Sequence, residues 1–240
     1  MDLTPRQIEL IKVIVEEFTN TGKPVGSVAL ENKYRLGVSP ATIRNDMADL
    51  VDKGYLQKPH LSSGRIPTSV AIKFYVSELL KERDLTVAEE VAVKERVWDH
   101  RNTQETLLRE ATKVLAERTG NLSVAIINSG NSYHAGYANL LNCSEFYDID
   151  LFRQVLILLD HHQRLQDIFD RAVGAEPIHL LVGDEFGEVN FQPVSCLFAN
   201  IQIGPERGSL AVLGPSRQHY EQNIPLLRYV ANLINQFAQS

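Results

Sequence analysis

The chain has 240 residues, of which 44% are hydrophobic, and its formal net charge is −6 at pH 7. This length suits one large domain or two ordinary domains with cores of their own. No apolar run approaches the length of a membrane span and the N-terminus lacks the apolar stretch of a secretory signal, which argues against a membrane or secreted protein and leads us to expect a cytoplasmic location.

Two helices are predicted at the start of the chain, the first running from Thr4-Pro5 to a stop at residues 21–24 and the second being short. Thr4-Pro5 is an N-cap followed by a first-turn proline, and apolar residues follow it at helical spacing. Gly26-Ser27 predicts the cap of a second helix, from Val28 to about Tyr34. We expect three of its residues to face the core: Val28, Ala29 and Leu30.

A third helix follows after a tight turn. Ser39 can cap it through its side-chain oxygen, Pro40 suits the first helical position, and Gly54 provides the stop. Its apolar positions share one face: Ile43, Met47, Leu50 and Val51. Its outer face carries Thr42, Asn45, Ala48, Asp49 and Asp52. A helix entered by a tight turn, with a polar outer face, is typical of a DNA-reading helix.

The outer face of this helix predicts a direction of DNA binding. Its first turn carries Thr42, Arg44 and Asn45, whose side chains can hydrogen-bond base edges or phosphates. Its later part carries Asp49 and Asp52, which phosphates would repel. We therefore expect the N-terminal end of the helix to enter the groove.

A polar hairpin is predicted directly after the third helix. Residues 57–67 have a Gly-containing tip between two extended arms, which suits a β-hairpin wing carrying Lys58, His60 and Arg65. The order of elements is then that of a winged helix-turn-helix. The predicted DNA contacts are Ser39, Thr42, Arg44 and Asn45 on the helix, with Lys58, Ser63 and Arg65 on the wing. Arg44 and Asn45 are the expected base readers.

The charge is distributed unevenly along the chain. Residues 1–85 contain 12 basic and 11 acidic side chains, whereas residues 86–240 contain 12 and 19. Within residues 32–73 the balance is 7 basic to 3 acidic. A local basic surface is enough for phosphate contacts, and the acidic remainder disfavours loose binding to any DNA.

The middle of the chain is predicted to be helical. A helix over residues 68–80 closes the first domain through Val70, Phe74, Tyr75, Val76 and Leu79 or Leu80. Helical patterns then run from Thr86 to about Glu117, with a break near Asp99 to Gln104. These helices could pack within the chain or between two chains, and a symmetric dimer is the usual reader of a palindrome.

The remainder alternates strand-like and helical segments. Strands are predicted at residues 122–127, 178–182, 191–203 and 210–213, and helices at 150 to about 173 and from about Pro225 to Phe237. Periodicity alone indicates only a mixed α and β domain.

Several collinear motifs resemble one bacterial family. They include TGKPVGS at 21–27, SPATIRNDMADL at 39–50, GYL at 54–56 and SGRIPT at 63–68, then GYANLL at 136–141, VGDE at 182–185 and GPSRQHY at 214–220. These motifs are similar to those of HrcA, the heat-inducible transcription repressors. The resemblance implies a GAF-like C-terminal domain, chaperone operons as targets and the chaperonin GroEL as a partner.

The chain departs from the family in its middle. Members generally carry a long segment with an inserted dimerising domain between the strand matching 122–127 and the motif matching 137–146. Here about eight residues, 128–135, cross that gap. The resemblance therefore carries less weight for the completeness of the GAF-like sheet and for the family's dimer surface.

Enzyme signals are weak throughout the sequence. His161-His162 beside Asp160 lacks metal-ligand spacing, and the loop at 214–217 lacks the ending of a phosphate-binding loop. Asp184, Glu185 and Arg217 could line a pocket, although surface loops and a structural ion pair explain them as well. Cys143 and Cys196 are expected as reduced thiols. We predict no enzyme, no cofactor and no metal.

Together these features predict an α+β protein with three parts: residues 1–82 as a winged helix-turn-helix, 83–119 as a helical linker and possible dimerisation segment, and 120–240 as a reduced GAF-like domain. The predicted function is repression of heat-shock genes by a homodimer on an inverted-repeat operator in double-stranded DNA. The alternative is a regulator switched by a small molecule in the GAF-like domain. A third class, an enzyme fused to a helix-turn-helix, lacks a catalytic constellation.

Overall fold

The computed structural model describes residues 3–59, 64–171, 176–187 and 190–237. The chain divides into two compact units, Met1–Leu80 and Lys81–Ser240. Both units combine helices with antiparallel β-structure, which confirms the α+β class. Among the described residues, no helix is both long enough and apolar enough to cross a membrane.

Within its described residues, the first unit consists of four α-helices and a two-stranded ribbon. Its elements are α1 (Pro5–Thr21), α2 (Ser27–Tyr34), α3 (Pro40–Asp52), β1 (Leu56–Gln57), β2 (Ile66–Pro67) and α4 (Ser69–Phe74), followed by a π-helical turn (Tyr75–Leu79). Thr4 and Gln7 form a reciprocal capping box at the start of α1, with both hydrogen bonds at 3.2 Å. The core contains Leu10, Ile11, Ile14, Leu30, Ile43, Met47, Leu50 and Leu56.

Two predictions about this unit's core are wrong. In α2 only Leu30 of the three predicted core residues is buried, whereas Val28 is 55% exposed and Ala29 is also exposed. The reason is that successive residues on a helix point in different directions. Val70 is also exposed, at 52%, because it lies on the outer side of α4.

The described part of the second unit is built on a five-stranded sheet. Its elements are α5 (Val87–Trp98), α6 (Gln104–Thr119), β3 (Leu122–Ile127), β4 (Ser132–Ala135), α7 (Tyr137–Leu140), α8 (Ile149–Asp160), α9 (His162–Asp170), β5 (His179–Val182), β6 (Val194–Ile203), β7 (Glu206–Pro215) and α10 (Tyr220–Phe237). The strand order is β4-β3-β7-β6-β5, and every neighbouring pair is antiparallel.

Helices cover both faces of this sheet. All six residues of β3 are buried, and Leu122, Val124 and Ile126 share a core cluster with α8 and α9. The alternate residues of β3 face the other side, where α6 and α10 contact the sheet. The predicted apolar stripe of α6 is buried here: Leu107, Leu108, Ala111, Val114 and Leu115. The α6 stripe therefore packs within the chain.

The structure extends or divides several predicted elements of this unit. Residues 128–135 form a tight hairpin with β4 rather than a plain connection. Strand β7 is 10 residues long, because it pairs with β6 along its whole length. Helix α10 begins five positions before Pro225. The helix predicted over residues 150 to about 173 is divided at His161, and its predicted end lies outside the described residues. Cys143 and Cys196 are free.

Candidate nucleic-acid interface

The start of α3 is fixed by its cap. The Ser39 hydroxyl accepts a hydrogen bond from the Thr42 backbone N–H at 3.2 Å, and the two hydroxyl oxygens lie 3.0 Å apart. Pro40 occupies the first turn, as its fixed φ favours. Both hydroxyls predicted to contact DNA thus also hold the helix terminus in shape, and Ser39 remains exposed.

Arg44 and Asn45 follow the cap on the solvent side of α3. Both are exposed, and neither forms a hydrogen bond or an ion pair with another residue that the structure describes. Ile43 and Met47, on either side of them, are 1% and 3% exposed. The buried face therefore orients these two polar side chains outward.

Asp46 is buried and does not belong to the outer face. Its side chain is 9% exposed, and its two carboxylate oxygens accept hydrogen bonds from Arg6 Nε at 2.6 Å and Arg6 Nη2 at 3.0 Å. Hydrogen bonding to this carboxylate raises the pKa of Arg6 above its ordinary value. Of the three acidic residues that follow Asn45 in α3, only Asp49 and Asp52 are exposed.

Some of the basic side chains within residues 32–73 have partners in the same chain, so not all of them are available for contact with DNA. Lys33 pairs with Glu17, whose pKa is lowered by that hydrogen bond, and Tyr34 donates to the same carboxylate at 2.9 Å. Lys53 donates to Gln7 Oε1 at 2.9 Å. The excess of positive charge counted from the sequence is therefore smaller at the surface.

The ribbon after α3 has two short strands and one further connection. Leu56 lies opposite Pro67, and Gln57 lies opposite Ile66. In addition, Arg65 exchanges two backbone hydrogen bonds with Val25, at 2.8 and 2.9 Å. This pairing ties the base of the hairpin to the segment directly before α2, and the sequence gives no periodic signal for it.

Three of the predicted cations meet in one groove. Arg44 of α3, Lys58 after β1 and Arg65 before β2 line it together with Gly26, Ser27 and Val28. Lys58 is exposed and Arg65 is half-buried. Ser63, also predicted as a contact, and His60 at the predicted tip lie outside the described residues. No acidic residue is among the described residues that line the groove.

Polar residues of the second unit that could suggest a catalytic site have structural partners. Arg217 forms a two-point ion pair with Glu145, which raises the pKa of Arg217. Asp184 accepts from Gln192 at 2.8 Å, and Glu185 accepts from the Val182 backbone N–H at 2.9 Å. Within the part of the chain that the structure describes, no group of three His, Cys, Asp or Glu residues could hold a metal ion.

Comparison with known proteins relates this chain to one family of transcription repressors. Residues 64–224 match the family described as HrcA protein C terminal domain. The chain is 23% identical to the heat-inducible transcription repressor HrcA of Desulforamulus reducens, over 95% of this chain and 94% of that protein. The protein of the same name from Moorella thermoacetica is 24% identical, over 98% of both chains. These relatives are named as repressors and not as enzymes.

Two further comparisons concern a shorter, more similar match and the fold. The HrcA repressor of Symbiobacterium thermophilum is 41% identical over 114 residues, which is 48% of this chain and 33% of that protein. The D. reducens alignment spans 329 positions, more than this chain has residues, so part of that relative has no counterpart here. A crystal structure described as a hypothetical protein has a TM-score of 0.77 at 19% identity, over 98% of both chains, and shares the fold.

Proposed function

The chain belongs to the HrcA family, and from that premise we propose that it is a sequence-specific DNA-binding transcriptional repressor of heat-shock genes, the chaperone operons. The observation that best supports this is the position of Arg44 and Asn45. Both are exposed near the N-terminal end of α3 without a partner among the described residues, and Arg44 lines a groove with Lys58 and Arg65. Such side chains are suited to base edges and phosphates.

In this proposal the first unit acts as a winged helix-turn-helix. Residues 1–82 bind DNA, α3 is the recognition helix, and the hairpin of β1 and β2 is the wing. Arg44 and Asn45 read bases, and Ser39, Thr42, Lys58, Ser63 and Arg65 contact DNA around them. Exposed Asp49 and Asp52 would be repelled by phosphates, so the N-terminal end of α3 enters the groove.

The remaining parts would assemble and regulate the repressor. Residues 120–240 form the reduced GAF-like domain, and residues 83–119 contribute to a homodimer that occupies an inverted-repeat operator and excludes polymerase. The apolar side chains that α5 leaves exposed, Val87, Val91 and Trp98, support a contact there. GroEL as the partner that keeps the repressor active follows from family membership, as does action in the cytoplasm.

The first experiment is selection of duplexes from a random library by the purified protein, followed by footprinting on the enriched sequence. A dimer should enrich an inverted repeat and protect half-sites separated by whole helical turns of roughly 34–36 Å. Failure to enrich any sequence, with the protein folded, would contradict the proposal.

A second experiment tests the heat response. Binding to the enriched duplex is measured on heating and again after cooling, with and without GroEL. The proposal expects heated protein to recover operator binding better in the presence of GroEL. Loss of binding that GroEL cannot restore would count against that partner.

The alternative, control by a small molecule, is favoured by one observation in the second unit. A cleft at one end of β6 and β7 is lined by polar side chains that include Asn128, Asn200, Gln202, Arg207 and Asn235. A metabolite that binds only the folded protein raises its melting temperature by mass action. A thermal-shift screen of metabolites, with Arg207→Ala as the control for binding in this cleft, separates this reading from the first.

A further inference from the structure

The N-terminus of α2 lacks an internal side-chain cap. Its N-cap residue is Gly26, and the first helical hydrogen bond runs from the Leu30 N–H to the Gly26 carbonyl at 3.1 Å. The backbone N–H groups of the first three helical residues, 27–29, donate to no acceptor among the described residues. Unsatisfied N–H groups at a helix N-terminus attract an anion, because the helix dipole adds positive charge there.

The first residue of α2 is a buried serine without a partner. Ser27 is only 7% exposed and lines the groove, yet its hydroxyl makes no hydrogen bond with any residue that the structure describes. Buried polar side chains in proteins are almost always hydrogen-bonded. The Ser27 oxygen is not among the described side-chain atoms that are sealed from solvent without a partner, so an oxygen of a ligand in the groove can reach it and accept its hydrogen bond.

Two cations are brought to the same place by the ribbon. The backbone of Arg65 pairs with that of Val25, the residue directly before Gly26. Arg65 is therefore held beside the N-terminus of α2. Lys58 lines the groove from the other arm of the hairpin. Backbone N–H groups, a hydroxyl and two cations around one groove form the donor set that phosphate oxygens require.

We propose that this groove holds one backbone phosphate of DNA, bound by the N-terminus of α2, the Ser27 hydroxyl, Lys58 and Arg65. The inference rests on the proposed function and adds Gly26 and Ser27 to the binding residues. The source is a phosphodiester of duplex DNA, since Arg44 of the recognition helix lines the same groove. The contact sets the register of α3 on the duplex and carries no sequence information itself.

The test uses the full-length protein with Ser27→Asp and Ser27→Ala. A carboxylate at the first position of a helix is favourable for the helix but repels a phosphate. Ser27→Asp should therefore weaken binding about tenfold or more, and to the same degree on the enriched duplex and on random duplex. Ser27→Ala should lose roughly threefold to tenfold on both duplexes, as expected for the net loss of one hydrogen bond.

The matched control is Ser69→Asp. Ser69 occupies the equivalent first position of α4 and does not line the groove. This variant carries the same charge change in the same unit and should bind both duplexes like the wild type. Circular dichroism melts of all three variants verify that they are folded.

A second measurement separates the loss of one phosphate contact from a general loss of stability in the variant. Single phosphates of the enriched duplex are replaced one at a time by uncharged methylphosphonates. Wild-type affinity should fall at one position in each half-site, and the duplex modified there should bind wild type and Ser27→Ala equally. Equal losses from Ser27→Ala at every modified position would overturn the assignment.

The outcomes separate the two proposals. If the wild type enriches a duplex and Ser27→Asp binds it normally, the phosphate site is wrong and the repressor function stands. If Ser27→Asp loses affinity only for the enriched duplex, Ser27 contacts a base and the site is again overturned. If the folded wild type binds no DNA, both proposals fail.

Discussion

Charged side chains of the second unit and charged side chains of the groove in the first unit are used differently. In the second unit Arg217 pairs with Glu145, Arg96 pairs with Glu110 and Glu117, and Arg228 pairs with Glu82. In the groove of the first unit Arg44 and Lys58 are exposed and have no acidic partner among the described residues. A charge whose partner lies in the same chain contributes to the fold, whereas a cation left in solvent can contribute to binding. The difference predicts which substitutions affect stability and which affect DNA affinity.

The strongest effect on stability is expected from Glu145→Ala. Its side chain is 15% exposed and that of Arg217 is 19%, so removal of the carboxylate leaves a largely buried guanidinium without its counter-charge. We expect the free energy of unfolding to fall by about 2–3 kcal/mol. Urea denaturation measures this, and DNA affinity at low temperature should be unchanged. A loss of affinity without a loss of stability would break the comparison.

Arg44→Ala should have the opposite profile. Affinity for the enriched duplex is expected to fall by about 1–3 kcal/mol, with little change on random DNA, because a base contact is lost. Stability should remain unchanged, since Arg44 has no partner among the described residues. An equal loss on both duplexes would make Arg44 a phosphate contact. Asp49→Asn serves as a control that removes charge from the same helix without removing a predicted reader.

Arg6→Ala sharpens the comparison, because it tests a charge pair within the DNA-binding unit. Asp46 would lose both hydrogen bonds while remaining buried, but Arg6 itself is 50% exposed and water can replace part of it. We therefore expect the free energy of unfolding in urea to fall by less than it does for Glu145→Ala. Arg6→Lys should restore part of it. Affinity changes beyond those explained by unfolding would show that Asp46 contributes to the binding surface.

The smallest effect on stability is expected from a change of pH. It should arise in the second unit, where all described histidines lie. Burial lowers the pKa of His134 below its ordinary value of 6.5. The unfolded chain therefore takes up a proton there at higher pH than the folded protein does, and stability should fall as the pH drops below about 6.5.

His219 should act in the opposite direction. Its hydrogen bond with Glu221 raises its pKa, so its stabilisation is present below about 6.5 and is lost as the pH rises through the folded pKa. Denaturation curves between about pH 5 and pH 8 measure both effects. His134→Gln should reduce the loss at low pH, and His219→Gln should increase it. Identical pH profiles for both variants would contradict these assignments.

Local signals in the sequence were enough for much of the fold. Ser39 and Thr4 were identified as caps because capping depends on residues within one turn, and both caps are present. The strand at 122–127 was predicted with its observed bounds, since every residue in it is buried and apolar or small. The gap between α5 and α6 was also predicted, from a polar stretch.

The missed features depend on residues distant in sequence. A single backbone pair between Val25 and Arg65 leaves no periodic pattern. The burial of Asp46 depends on Arg6, 40 positions earlier. For the candidate site, the sequence predicted the three cations that line the groove. It did not predict that Ser27 lines the groove, because a serine at the start of a short helix is typical of a helix cap. Which residues contact DNA stays a prediction.

The hairpin of β3 and β4 has a consequence for how such chains change in evolution. The Ile127 N–H donates to the Asn131 carbonyl at 3.1 Å, and Gly130, with φ of 100°, allows the reversal between them. The two ends of this loop are therefore already adjacent, so a whole folded module whose own termini lie close together could enter or leave here without disturbing strand register. The same position should accept a fluorescent reporter domain, with the sheet on either side intact.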